Sequence, residues 1–212
     1  MKRILVILLG VLALVGCGGE DHSKDVLNKA CDSVRGKYVC RSIKWVGEPA
    51  RIDINGDGEA NEDLRNEFST MSNCMTAINA YCFVHPAWDY DEMSPINFDL
   101  PVQCVLFDKR TNEFSLQNGL AGNAQFVSFG YSVNRSGEIS LSVHNELNDI
   151  RTSESQSEIE HYDSQFLSGD QILSFQGGVI EVRVNYGFYD FNSGEFVQGK
   201  ADLVYERETY SL

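Results

Sequence analysis

The stretch Ile180-Glu181-Val182-Arg183-Val184-Asn185-Tyr186-Gly187-Phe188 decides the fold class. Its five apolar residues alternate with Glu, Arg, Asn and Gly. A period of two sends the apolar set to one face of a pleated strand and the polar set to the other. Such a strand needs antiparallel neighbours and an apolar layer behind it. Phe98, Leu100, Val102, Cys104 and Leu106 alternate in the same way, with Pro101 marking an edge or a bulge. Val127, Phe129, Tyr131 and Val133 form a third run, and Ile139, Leu141 and Val143 a fourth. Weaker runs cover 38–46, 81–85, 172–176 and 196–206, with Gly, Asn, Asp and Ser between them as hairpin connections require. The pattern predicts an all-β chain, a single antiparallel barrel of about eight or nine strands. Helical spacing appears at Leu64, Phe68 and Met71, so a short helix is expected after the acidic loop described below. The polar segment 145–161 reads as a long loop. No internal repeat and no second domain is evident.

The other end of the chain carries an address. Lys2 and Arg3 precede an apolar run that ends at Gly16. This is shorter than the roughly 20 residues that span a bilayer, and suits the core of an export signal. Leu14-Val15-Gly16-Cys17 resembles the lipobox of bacterial lipoproteins. The resemblance implies cleavage before Cys17, a diacylglycerol on its thiol and a membrane anchor that needs no transmembrane helix. Gly18 stands where an inner-membrane retention signal carries Asp, which implies an outer membrane lipoprotein, periplasmic or surface-facing. The chain then divides into a signal peptide at 1–16, a lipidated N-terminus and tether at 17–35, and the barrel domain at 36–212. A short lead-in helix around Val26, Leu27 and Ala30, capped by Ser23, is expected within the tether.

The formal net charge is -14, and two units more negative without Lys2 and Arg3. So acidic a chain repels phosphate backbones, and no basic patch interrupts it; nucleic acid is excluded as a partner. Acidity suits a cation or a basic partner. Beyond Cys17 stand Cys31, Cys40, Cys74, Cys82 and Cys104, with no zinc spacing among them. Outside the inner membrane such residues are expected in disulfides. An odd number allows two bridges and leaves one thiol; the pairing is open.

Residues 53–63 read DINGDGEANED. With Asp53 at the first position of an EF-hand-type loop, Asn55 and Asp57 fall at the third and fifth and Gly58 at the sixth. Glu59 then offers its carbonyl and Asn61 acts directly or through water. The closing bidentate Glu is replaced by Leu64, with Asp63 one residue early and Glu67 one helical turn later. Asp53, Asn55, Asp57, Glu59, Asn61 and Asp63 are the candidate ligands for a structural Ca²⁺. The same residues also make a hydrated turn that caps the following helix through Asp63 or Asn61.

Gly36-Lys37-Tyr38 at the start, the D-x-N-x-D-G loop with its short helix, and antiparallel strands ending in Tyr205-Glu206-Arg207 resemble the lipocalin-like lipoproteins of Bacteroidota over 36–207. Tyr38 stands where lipocalins carry Trp. The resemblance implies a barrel around a small apolar ligand. Trp88-Asp89-Tyr90-Asp91-Glu92 reads as a hairpin loop whose Trp folds onto the barrel mouth, or as a sugar or peptide contact. His22, His85, His144 and His161 have no partners at motif spacing, and no G-x-S-x-G elbow is present. Binding of a small apolar ligand, not catalysis, is therefore the expected activity. The alternative is a non-catalytic interaction subunit, docking to a protein of the cell envelope or surface.

Overall fold

A computed structural model describes residues 19–71, 80–117, 124–143, 158–163 and 165–208. The leader, Cys17 and Cys74 lie outside them, as does most of 145–161. In chain order the elements are α1 (Gly19–Val34), β1 (Gly36–Gly47), α2 (Leu64–Thr70), β2 (Tyr81–Val84), β3 (Ser94–Pro101), β4 (Cys104–Asp108), β5 (Glu113–Leu116), β6 (Ala124–Val133), β7 (Ile139–Val143), β8 (Ile159–Asp163), β9 (Gln165–Gln176), β10 (Val179–Asp190) and β11 (Glu195–Arg207). Among the described residues no helix is long and apolar enough to cross a membrane.

Eight strands form one antiparallel sheet in the order β7-β6-β3-β2-β1-β11-β10-β9. Neighbours in this sheet are successive strands of one meander, and its first strand, β1, pairs with its last, β11, from Tyr38↔Arg207 to Gly47↔Gly199. The expected single antiparallel barrel is realised in part: the eight strands curl into a half-barrel, in which β7 and β9 approach each other without pairing. β9 is itself irregular, since its register against β10 slips at Glu181/Val182 and again at Arg183/Asn185. Each such irregularity bends and twists a strand out of line. The remaining three strands make a second sheet, β5-β4-β8. The alternating run from Phe98 to Leu106 is thus two strands; the chain breaks after Pro101 and crosses from one sheet to the other.

The period of two does its work inside the sheet. Ile180, Val182, Val184, Tyr186 and Phe188 are all buried. On β1 the buried set is Tyr38, Cys40, Ile43 and Trp45, because a bulge between Cys40 and Ser42 reverses the phase of the strand. Aromatic side chains fill much of the interior. Tyr186 donates its hydroxyl to the Pro101 carbonyl at 3.3 Å and Tyr205 to the Asp99 carbonyl at 3.2 Å. Both carbonyls lie beyond Phe98, the last β3 residue that pairs with β2. Phe98 meets Phe129 and Tyr205 edge-on at 5.3 and 5.2 Å.

Each end of the barrel is stoppered by a helix. The expected lead-in helix is present and longer than expected: α1 spans Gly19–Val34, so Ser23 lies within it and is not its cap. Leu27, Cys31 and Val34 recur at helical spacing and are buried in the common core. The Tyr38 hydroxyl donates to the Val34 carbonyl at 2.5 Å. The Arg207 guanidinium donates to the carbonyls of Asp32, Ser33 and Arg35 at the helix C-terminus. It passes Gly36, whose φ of +141° is a glycine conformation and where a Cβ would stand 3.2 Å from Arg207 Nε. At the opposite end Ile52, Ile54, Leu64 and Phe68 are fully buried, and the Phe68 ring meets Phe188 at 6.0 Å.

The expected disulfides are corrected as well. Cys31, Cys40, Cys82 and Cys104 are buried, and none is in a disulfide. Each occupies a core position of its element. Cys40 and Cys82 sit on adjacent strands but out of register, since Cys82 lies opposite Tyr38 and the Cys40 amide donates to the Ala80 carbonyl. Burial pushes the Cys40 thiol up to about 12 and the Cys82 thiol well above its ordinary value, so neither supplies a thiolate at neutral pH.

Candidate functional site

The end of the barrel opposite α1 carries the polar chemistry. Asp53 is held there because its neighbours Ile52 and Ile54 point into the core. Its carboxylate accepts from the Gly56 amide at 2.7 Å and the Gly58 amide at 2.8 Å. Both glycines have positive φ, 74° and 87°, which lets the backbone fold over the carboxylate. Asn55 accepts from the Asp57 amide at 2.9 Å and donates to Asp57 Oδ2 at 2.9 Å and Thr70 Oγ1 at 2.7 Å. Asp57 accepts from the Glu59 amide at 2.8 Å. Asn61 donates to the Glu59 carbonyl at 3.1 Å and to Glu67 Oε1 at 2.5 Å.

Glu67 enters from α2, fully buried, and its other oxygen accepts from the Ile54 amide at 3.0 Å. Burial raises its pKa, against the opposing effect of hydrogen bonds from Asn61 and the loop backbone. Asp63 leaves the group: it is the N-cap of α2 and accepts from the Arg65 amide at 3.0 Å. Five of the six candidate ligands thus share one network with Glu67, and the sixth caps a helix. Among the described residues no group of three or more His, Cys, Asp or Glu side chains converges as a metal set. The donors are all hard oxygens, the chemistry that suits Ca²⁺. In this form they are engaged by the loop's own amides.

Two further residues lock the loop to the barrel. Asp190 Oδ1 accepts from the Asp53 amide at 2.9 Å and the Asn192 amide at 3.2 Å, while Phe191 donates to the Asp53 carbonyl at 2.8 Å. Gln103, buried between β3 and β4, donates to the carbonyls of Ile54 and Tyr189 and accepts from the Tyr189 amide, each at 2.8 Å. The turn signal of Asp190-Phe191-Asn192-Ser193-Gly194 is visible in the sequence. Nothing local marks Gln103, whose partners are 49 and 86 residues away.

Beside the loop lies an aromatic surface that the alternation alone does not reveal. Phe114 on β5 stands 4.7 Å from Phe107, 4.3 Å from Tyr189, 5.6 Å from Phe196 and 5.8 Å from Tyr162, between ring centroids. Phe191 continues the cluster, 5.0 Å from Tyr189 and in contact range of Gly56 in the acidic loop. Phe107, Phe114, Tyr162 and Phe191 are half-buried, and Phe196 is 47% exposed. Rings of this number left open to solvent on one face are unusual for a sheet that has merely been covered.

At the α1 end the loop between β2 and β3 differs from its expected form. Trp88 does not fold onto the barrel; it is 83% exposed. Tyr90 takes that place, its hydroxyl accepting from the Leu27 amide at 3.1 Å. His85 is exposed beside Asn97 at 3.2 Å. No protein family, no curated protein and no solved structure matches this chain. Its function must therefore be argued from this geometry.

Proposed function

We propose that the chain is a lipid-anchored, non-catalytic binding module of lipocalin-like architecture, serving as an interaction subunit of the cell envelope. The observation that carries this is the half-exposed aromatic cluster around Phe114 and Phe196. It lies next to the acidic loop and at the end of the barrel farthest from α1. Aromatic rings at the centre of a patch with charged groups at its edge are the composition of a protein-docking surface. The filled interior supports the same reading, since Tyr38, Tyr131, Tyr186 and Tyr205 take up space that a ligand would need. The meander with its first and last strands paired supports the lipocalin-like architecture. A photo-crosslinker at exposed Glu195 tests the docking surface in cells. One discrete adduct that disappears with Phe196→Ser supports it. Scattered adducts indifferent to Phe196 overturn it.

Within this reading the acidic loop holds a structural Ca²⁺ through the side chains of Asp53, Asn55 and Asp57, the Glu59 carbonyl and Asn61, with Glu67 in place of Asp63 as the closing carboxylate. Thermal melts in EDTA and then in Ca²⁺ test it. The expected result is a rise in melting temperature that Asp57→Ala abolishes. No rise up to about 10 mM, beyond the weakest affinity of extracellular modules, leaves the loop a hydrogen-bonded turn.

The unpaired edges of β7 and β9 favour a second reading, a small apolar ligand entering the half-barrel from the side. Solvent extraction of purified protein should then yield an apolar molecule in stoichiometric amount.

A further inference from the structure

The exposed tryptophan is not explained by the docking surface, because it sits at the other end of the molecule. The strand directions establish this. Gly36 at the start of β1 and Arg207 at the end of β11 flank α1, whereas Gly47 and Gly199 pair near the opposite end, where the acidic loop begins. The β2–β3 loop belongs to the α1 end. The Cys31 thiol lies 3.8 Å from the Ala87 carbonyl, and the Leu27 amide donates to Tyr90. Trp88 stands between these two fastenings and, among the described residues, is the most exposed of the large apolar side chains.

The place of the start of α1 supplies a reason. Cys17 precedes the first residue of α1, Gly19, by two positions. From Gly19 to Leu27 the helix rises about 12 Å, at 1.5 Å per residue. An acyl chain on Cys17 therefore brings the bilayer surface to the same end of the barrel as the Trp88 loop. Indole rings partition to the boundary between headgroups and acyl chains, apolar body inward and N–H outward. Asp89, Asp91 and Glu92 beside it would be repelled by anionic lipid and suit a zwitterionic surface.

We infer that Trp88 is a second membrane contact, seated in a zwitterionic phospholipid surface and fixing the barrel with its acidic and aromatic end turned away from the bilayer. The inference rests on the reading of Cys17 as the lipid-bearing residue, and the test separates the two. Full-length protein is expressed in its lipidating form and reconstituted in phosphatidylcholine vesicles, with and without bromine in the acyl chains. Flotation with the vesicles and the mass of the N-terminal peptide report the anchor. Trp45 is buried, so acrylamide quenching reads Trp88. The expected result is flotation, loss of acrylamide quenching on reconstitution and new quenching by the brominated lipid, all of the fluorescence changes vanishing in Trp88→Phe. Flotation with Trp88 still open to acrylamide and untouched by bromine overturns the inference and leaves the anchor standing. An unmodified Cys17 and no flotation overturn both.

Discussion

Gln103 shows how a single side chain can hold three segments. Its amide joins the acidic loop at Ile54 to the end of β10 at Tyr189, and these three hydrogen bonds are buried. Gln103→Leu leaves two carbonyls and one amide without partners, and each such group costs roughly 1–3 kcal/mol. The variant should lose about 3 kcal/mol or more in urea unfolding, which an unchanged midpoint would contradict. Glu67 is a second such position, and its effect depends on pH. Because burial raises its folded-state pKa above 4.5, its contribution to stability is full below 4.5 and is lost as pH rises through the folded value. In EDTA, wild type should therefore lose stability relative to Glu67→Gln as pH rises from about 4 to 7. If the loop binds Ca²⁺ as proposed, the cation favours the ionised carboxylate and wild type becomes the more stable at neutral pH. Paired melts of the two proteins across that range decide it. At this scale sequence was a partial guide. The spacing of Asp53, Asn55 and Asp57 marked the loop, but the closing position depended on where α2 begins. Asp63 is drawn off because the first helical amides need a cap.

Among the elements, β10 was legible from alternation because one of its faces is wet along most of its length. β1 was not, since the bulge at Cys40/Ser42 moves its buried residues from even to odd positions. The three-stranded sheet escaped for a different reason. β4 and β5 are short, and β4 looks like a continuation of β3 until its partners are known. The helical spacing of Val26, Leu27 and Ala30 marked α1 as a short lead-in helix, but not its full length or its docking. Its docking depends on Arg207, which meets three carbonyls at a helix end that carries no other basic residue in its last turn. Arg207→Ala should cost about 1–2 kcal/mol, because both the carbonyl bonds and the charge at the negative helix end are lost. Hydrogen exchange across 24–34 should accelerate more than exchange across α2. Arg207→Lys should not restore it, since an ammonium lacks the planar fork that reaches three acceptors.

For the molecule as a whole, the seam ranks the strands by stability. β1, β10 and β11 are paired on both sides, while β7 and β9 each present one edge that no described strand covers. Exchange measured strand by strand should place β1, β10 and β11 near the global unfolding free energy and the seam amides of β7 and β9 well below it. Equal protection across all of them would mean that the half-barrel closes in solution. Composition and alternation sufficed for an antiparallel β-protein that curls. Which strands fail to meet, β7 and β9, is set by tertiary packing that no local pattern marks. The pairing of β1 with β11 has a last consequence, for the order of events in folding. Arg41 and Glu206 meet across 165 residues, so this interior pair of the sheet joins the strands most distant in the chain. Closing so long a loop costs entropy before any contact repays it, and sheets dominated by such pairs form slowly. A chain still lacking its final strand has lost the partner of β1 and of β10 together. Synthesis from the N-terminus must therefore reach β11 before the core can condense.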